Sequence, residues 1–200
     1  MPSLIPVDTA DDILPEYHGT PVELLLRYHN LGEPMPASTG RAVALIGMCM
    51  DNRARLKAPL EFAYVLRAAG GSMRGSEFEI SYAVAVARVR AIILVAHTDC
   101  GMSHVTQKRD AFVRGLVEWG GCRKEDATPH FEKHAANYEI GDPADFTLLE
   151  AARIQGFYPR VMVAPLLYAV EDNRLRQITS HGDAATRPGP AGEGAHTGAS

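Results

Sequence analysis

The middle of the chain alternates between short apolar runs and longer amphipathic stretches. AVALIGMCM (42–50) is almost wholly apolar, as a strand buried on both faces should be. FAYVLRA (62–68) has the aromatic and β-branched content of a second strand. In SEFEISYAVAVARV (76–89) the period changes: Phe78, Ile80, Ala83, Val84 and Ala87 recur at roughly helical spacing. Ser76 with Glu79 three residues later is a capping-box signature. AIILVA (91–96) is the clearest strand. Polar, helix-like segments follow from about Val105 to Trp119 and from Thr128 to Tyr138. Another helix is expected from Asp142-Pro143, an N-cap followed by proline at the first helical position, to near Gly156. RVMVAPLLYAV (160–170) is a fourth strand, with Pro165 at a bulge or an edge. EDN is a turn, and RLRQIT (174–179) returns as a short antiparallel strand.

Strands alternating with helices predict an α/β domain: a mainly parallel four-stranded sheet flanked by helices, with a short antiparallel fifth strand. That domain spans residues 41–180. Residues 1–40 precede it as an arm with one short amphipathic segment, PVELLLRYHN, in which Pro21 suits a first helical turn. Residues 181–200 follow as a tail, rich in Gly, Ala and Pro from Arg187 onward and expected to be disordered.

Composition narrows the function classes. A chain of 200 residues fits one domain with a short appendage. Its net charge of -4 gives no global pull toward nucleic acid or anionic lipid. No apolar run approaches the ~20 residues of a membrane span. The N-terminus lacks the pattern of a signal peptide, so the cytoplasm is the expected location. Three cysteines, Cys49, Cys100 and Cys122, do not suggest a disulfide framework. Metal binding or catalysis stays open for the first two.

In open parallel sheets, ligands sit beyond the carboxyl ends of the strands. Cys49 ends the first predicted strand, His97 ends the third, and Cys100 follows it. Taken singly, Cys49 also fits a buried small hydrophobe, and His97 a strand-end histidine bonded to backbone. Together they supply the Cys2His donor set of a catalytic zinc site with one open position. Asp51 and Arg53 lie two and four residues after Cys49. An arginine fork can hold a carboxylate ionised. Such a carboxylate could accept a hydrogen bond from a metal-bound water or occupy the open position itself. The backbone at Gly70 and Gly101 could admit a small substrate closely, or simply form tight turns.

CMDNR (49–53), RAAGG (67–71) and HTDCGM (97–102) together resemble the β-class carbonic anhydrases, in particular their compact archaeal and bacterial branch. The likeness is close over about 42–105 and looser at LLYAVEDNRLRQI. It implies Zn2+ on Cys49, His97 and Cys100, with Asp51 and Arg53 as the catalytic dyad. It implies reversible hydration of carbon dioxide to bicarbonate by zinc-bound hydroxide, in a homodimer or higher homo-oligomer whose N-terminal helix reaches over the partner. Two positions depart from the family pattern: Asn52 stands in place of serine, and Ala68 in place of asparagine. The same scaffold serves hydrolases of carbonyl sulfide and carbon disulfide, and a zinc-bound, non-catalytic homologue would keep the same ligands.

Other readings account for less. Cys49 and Arg55 also satisfy the Cys-x5-Arg spacing of phosphatases. That loop lacks glycine to turn backbone amides onto an anion, and HTDC would go unexplained. His130 and His134 sit four apart on an expected helix but have no third ligand arranged with them. Cys122 reads as a free thiol, and Trp119 as a core or interface residue. His104 reads as a surface turn, and Asp99 as a turn residue.

Overall fold

The computed structural model describes residues 1–36 and 40–180. The tail expected at 181–200 lies outside the described residues. Six strands form one sheet: β1 (Ser3–Pro6), β2 (Ala44–Cys49), β3 (Ala63–Ala68), β4 (Ala91–His97), β5 (Met162–Ala169) and β6 (Arg174–Thr179). Their spatial order is β1-β6-β5-β4-β2-β3. The four strands from β3 to β5 are parallel, and β6 and β1 are antiparallel additions. The expected sheet thus has one strand too few. SLIP at 3–6 pairs with β6, but four residues ending in proline carry too little alternation to be read as a strand.

Alternate residues of the central strands feed different layers. Ile46, Ile93 and Val95 face one core with Val22, Leu25 and Leu26 of α1 (Pro21–Leu26). Val7, Ile13 and Tyr17 join that core, so the first residues and the sheet bury one apolar layer together. The N-terminal helix is seated on its own chain's sheet: Val22, Leu25 and Leu26 are fully buried there. On the other face, Leu45, Ile92 and Leu94 pack with Ile80 and Ala83 of α2 (Glu77–Ala85). Ala151 and Ile154 complete that layer; they come from the helix starting at Pro143, which runs to Phe157 with Asp142 accepting two amide bonds as its N-cap.

Between β4 and that helix, the chain makes a helical hairpin of α3 (Arg109–Glu118) and α4 (Lys124–Tyr138), so the Pro143–Phe157 helix is α5. The hairpin has a small core of its own around Val113, Ala127 and Phe131. Helix α4 begins four residues before the expected Thr128, because its first turn opens with the polar run Lys124–Asp126 and Ala127 alone gives no apolar period to betray it.

Two local expectations fail. Ser76 is the N-cap of α2, but its side chain makes no capping bond; Glu77 instead accepts from the Gly75 amide. Trp119 is 89% exposed, so it is not a core residue of this chain. Pro165 sits inside β5. The Val163 amide, two residues earlier, points away from β4 to Gln155, and pairing to β6 begins only at Leu166. The missing proline N–H therefore falls where no ladder partner is lost.

Candidate metal centre

Strand register decides where the chemistry lies. β2 and β4 are parallel neighbours with Met48 opposite Val95. Cys49 ends β2 and His97 ends β4, so both side chains emerge at one edge of the sheet. A tight turn then brings Cys100 back toward them, with Asp99 in the left-handed region at φ 54°. The sulfurs of Cys49 and Cys100 stand 4.0 Å apart, and both cysteines are free. Ligand atoms of Cys49, His97 and Cys100 all lie within 4.8 Å of one another, and no other such group of His, Cys, Asp or Glu occurs among the described residues.

The spacing suits a tetrahedral ion. Two thiolates at ~2.3 Å from such an ion are about 3.8 Å apart. His97 is turned correctly. Its Nδ1 donates to the Thr98 carbonyl at 2.8 Å, because a carbonyl only accepts. The neutral ring therefore keeps its lone pair on Nε2. That Nε2 is buried and has no hydrogen-bond partner, which is costly for a polar atom unless something binds it. A cation at this point would satisfy Nε2 and neutralise two converging thiolates, so the residues fit a soft or borderline divalent metal.

Electrostatics of the bare site point the same way. Hydrogen bonding from Cys100 outweighs burial and pulls the Cys49 thiol well below its ordinary value, with His97 assisting. Cys100 moves up, because its hydrogen bond to Cys49 holds its proton and burial opposes a second thiolate. For His97, burial opposes the charged ring, but the adjacent Cys49 and the Thr98 carbonyl outweigh it and raise its pKa. The pocket thus holds one negative charge readily and resists a second until a cation arrives.

Asp51 and Arg53 stand beside the cluster as a closed pair. Arg53 Nη2 donates to Asp51 Oδ2 at 2.8 Å, Nε to Oδ1 at 3.1 Å, and the Arg53 amide to Oδ1 at 2.9 Å. These bonds hold the Asp51 carboxyl down to about 2, below the usual carboxylate range. Asp51 Oδ2 is 3.9 Å from His97 Nε2. Two ligands of a tetrahedral zinc would be about 3.4 Å apart, so the carboxylate borders the fourth position while bonded to arginine.

Three further residues take parts at the site that the sequence did not reveal. Asp99 is a turn residue as expected, but it also takes the rest of Arg53: Nη1 donates to Asp99 Oδ2 at 2.7 Å, and Nη2 to its carbonyl at 2.8 Å. Arg67 donates to the carbonyls of Cys49 at 2.9 Å and Ala54 at 3.3 Å, tying down the loop that carries Asp51. Thr98 bonds to Glu171 and to the Val170 amide, pinning the other ligand loop to the β5–β6 turn. The signal for these was weak, since each partner is distant in sequence.

The two candidate glycines differ. Gly70 has φ 66°, and a Cβ there would lie 2.7 Å from Ile140, so its turn and packing demand glycine. At Gly101 a Cβ would approach only the Lys108 ammonium, at 3.8 Å. Arg55 is exposed, whereas Cys49 is buried against Cys100; this is not a phosphate cradle. A mainly apolar cleft of about 360 Å³ opens beside Ala69 and Met102, walled on its far side by Phe112, Phe131 and Tyr138 of the helical hairpin. His130 and His134 line it with ring centroids 5.0 Å apart.

The class defined here is an α/β fold with a Cys-His-Cys cluster, able to hold a metal, at the carboxyl edge of its sheet. No protein-family model and no curated protein matches the chain. Among solved structures, it is similar to a β-carbonic anhydrase, isoform I, from the protozoan Trichomonas vaginalis, with 19% identity, a TM-score of 0.57, and coverage of 76% of this chain and 91% of that one. It is also similar to a carbon disulfide hydrolase in its apo form, with 18% identity, a TM-score of 0.50, and coverage of 84% and 92%. A carbonic anhydrase from Glaciozyma antarctica shares 23% identity at a TM-score of 0.49, over 71% of this chain and 83% of that one. The chain has the β-carbonic anhydrase fold.

Proposed function

We propose that this protein is a zinc enzyme that reversibly hydrates carbon dioxide to bicarbonate, with Cys49, His97 and Cys100 as ligands and Asp51 and Arg53 as the catalytic pair. The observation that carries the reading is the buried, unpartnered His97 Nε2 facing two thiols, with an ionised carboxylate at the border of the fourth position. Bound zinc supplies Lewis acidity that ionises water near neutral pH. Arg53 keeps Asp51 charged and turned as an acceptor. Asp51, which cannot donate when ionised, orients a water or hydroxide by accepting its hydrogen bond. Gly101 leaves room for a small substrate; the space beside Gly70 is filled by Ile140.

A second reading has one observation in its favour. The cleft walled by Met102, Val105, Phe112 and Phe131 is largely apolar, which suits carbonyl sulfide or carbon disulfide better than bicarbonate. A zinc-bound, non-catalytic protein is the third. No helix among the described residues is long and apolar enough to cross a membrane; reduced thiols at the centre suit the cytoplasm. We further read the protein as a homodimer or larger homo-oligomer. Phe78 and Tyr82 of α2 and Val86 at its C-cap leave an exposed apolar stripe at helical spacing, and Tyr64 and Val65 are exposed on the edge strand β3.

The test is to measure zinc content of the purified protein beside its hydration rate for carbon dioxide and its hydrolysis rates for the two sulfur compounds. One zinc per chain with rapid hydration is the expected result. Full zinc with sulfur turnover alone selects the second reading, and full zinc with no turnover the third.

A further inference from the structure

Arg53 spans the two loops that bring the cluster together. Its Nε and Nη2 serve Asp51 on the Cys49 loop, while Nη1 and Nη2 serve the carboxylate and carbonyl of Asp99 on the His97–Cys100 loop. Asp99 thus holds the face of the guanidinium that Asp51 leaves free. The backbone at Asp99 lies at φ 54°, where a glycine would sit with less strain. Aspartate tolerates this conformation better than most side chains, and here its carboxylate contacts Arg53.

We propose that Asp99 is a positioning residue that, by anchoring Arg53 from the opposite loop, holds Asp51 off the metal and keeps the fourth coordination position exchangeable. This rests on the metal-centre reading above. Asp51 Oδ2 is already 3.9 Å from His97 Nε2, so a small rotation brings it onto an ion held by the three ligands. What resists that rotation is the arginine. With only Asp51 to hold it, Arg53 would be free to follow or release the carboxylate; with Asp99 it is fixed at both ends. Asp99 is 84% exposed in its side chain, so its hold is modest. A pair this exposed supports a change in equilibrium of about five-fold at most.

The experiment uses the full chain loaded with cobalt(II), whose visible spectrum reports a change in the fourth ligand, titrated with azide at fixed pH. Asp99→Gly, which suits the backbone, should weaken azide binding about five-fold and shift the cobalt spectrum toward carboxylate ligation. Asp99→Asn, nearly the same shape, should shift both in the same direction by less. In an Asp51→Ala background, Asp99→Gly should then change neither. Equal azide affinity for the unsubstituted and Asp99→Gly proteins overturns the role of Asp99. So does an effect of the same size in the Asp51→Ala background. One cobalt per chain with these outcomes leaves the metal centre intact and rejects Asp99 alone. Failure of the unsubstituted protein to take up cobalt overturns both. Absence of carbon dioxide hydration, with the azide cycle as expected, rejects the substrate and not Asp99.

Discussion

At the scale of single residues, the site is built from one orphaned donor set and one constrained carboxylate. Asp51 does not need to be a ligand to matter. Its bonds to Arg53 remove its freedom and keep it an acceptor, and under the proposed function an acceptor fixed there would orient a water held at the cluster. Asp51→Ala should leave zinc content unchanged and cut hydration turnover by about 100-fold, the lower end for loss of a positioned acid–base group. Zinc analysis and stopped-flow hydration on the same preparation check this, and unchanged turnover would reject the role. The clustering of Cys49, His97 and Cys100 and the Asp51–Arg53 pair were legible in the sequence because their spacing is local: each lies within a few residues of a strand end. Asp99 was legible only as a turn. Its partner Arg53 lies 46 residues away, and no pattern within the HTDC stretch reveals a contact that strand register creates. Arg67 was hidden for the same reason: it acts through carbonyls 13 and 18 residues earlier.

At the scale of elements, the central parallel strands β2, β4 and β5 were the most readable, since burial on both faces leaves nearly continuous apolar runs. The antiparallel β6 was bounded correctly because a turn sequence precedes it. Short β1 and the polar first turn of α4 were not readable, for lack of period. Neither was the tie between α5 and the loop after β3. Glu150 of α5 is 2% exposed. It accepts from the Met73 amide at 3.0 Å and from Arg153 at 2.7 Å and 2.9 Å. Burial opposes its charge, but the Arg153 bonds outweigh burial and keep its pKa low. Met73 packs over Gly47 of β2, where a Cβ would come within 2.6 Å of its sulfur, and Gly71 lies against the Cys49 amide. Helix α5 thereby braces the loop behind Cys49, the first residue of the candidate cluster. Glu150→Ala should cost about 3 kcal/mol, because it strands a buried amide and an arginine. Urea unfolding with an unchanged m-value would measure it; a loss below ~1 kcal/mol would mean that water replaces the carboxylate.

At the scale of the whole molecule, the N-terminal segment is joined to both sides of the site through one histidine. His29, in the π-helical turn after α1, donates from Nε2 to the Asn173 carbonyl at 3.0 Å. Its Nδ1 accepts from the Lys57 amide at 3.0 Å. It therefore ties the β5–β6 turn to the loop that follows Arg53, and the ring also leans on buried Tyr168. These bonds need the neutral ring. Burial pushes the His29 pKa below its ordinary value, more than its two backbone bonds raise it. The sign follows: the unfolded chain takes up a proton near pH ~6.5 while the native state stays neutral. Stability is thus greatest above that pH and falls as pH drops toward the depressed native value, by up to ~1.4 kcal/mol per pH unit. His29→Gln should lower stability at pH 7.5 by about 1–2 kcal/mol through lost bonds and packing. It should also make the fall between pH 7 and pH 5 shallower by up to one proton's worth, because glutamine does not titrate. Comparing the two proteins cancels the other histidines and the metal ligands, which are common to both. Parallel slopes for the two would show that His29 titrates alike in the folded and unfolded states. The tie between the arm and the site would then be one of packing rather than of charge.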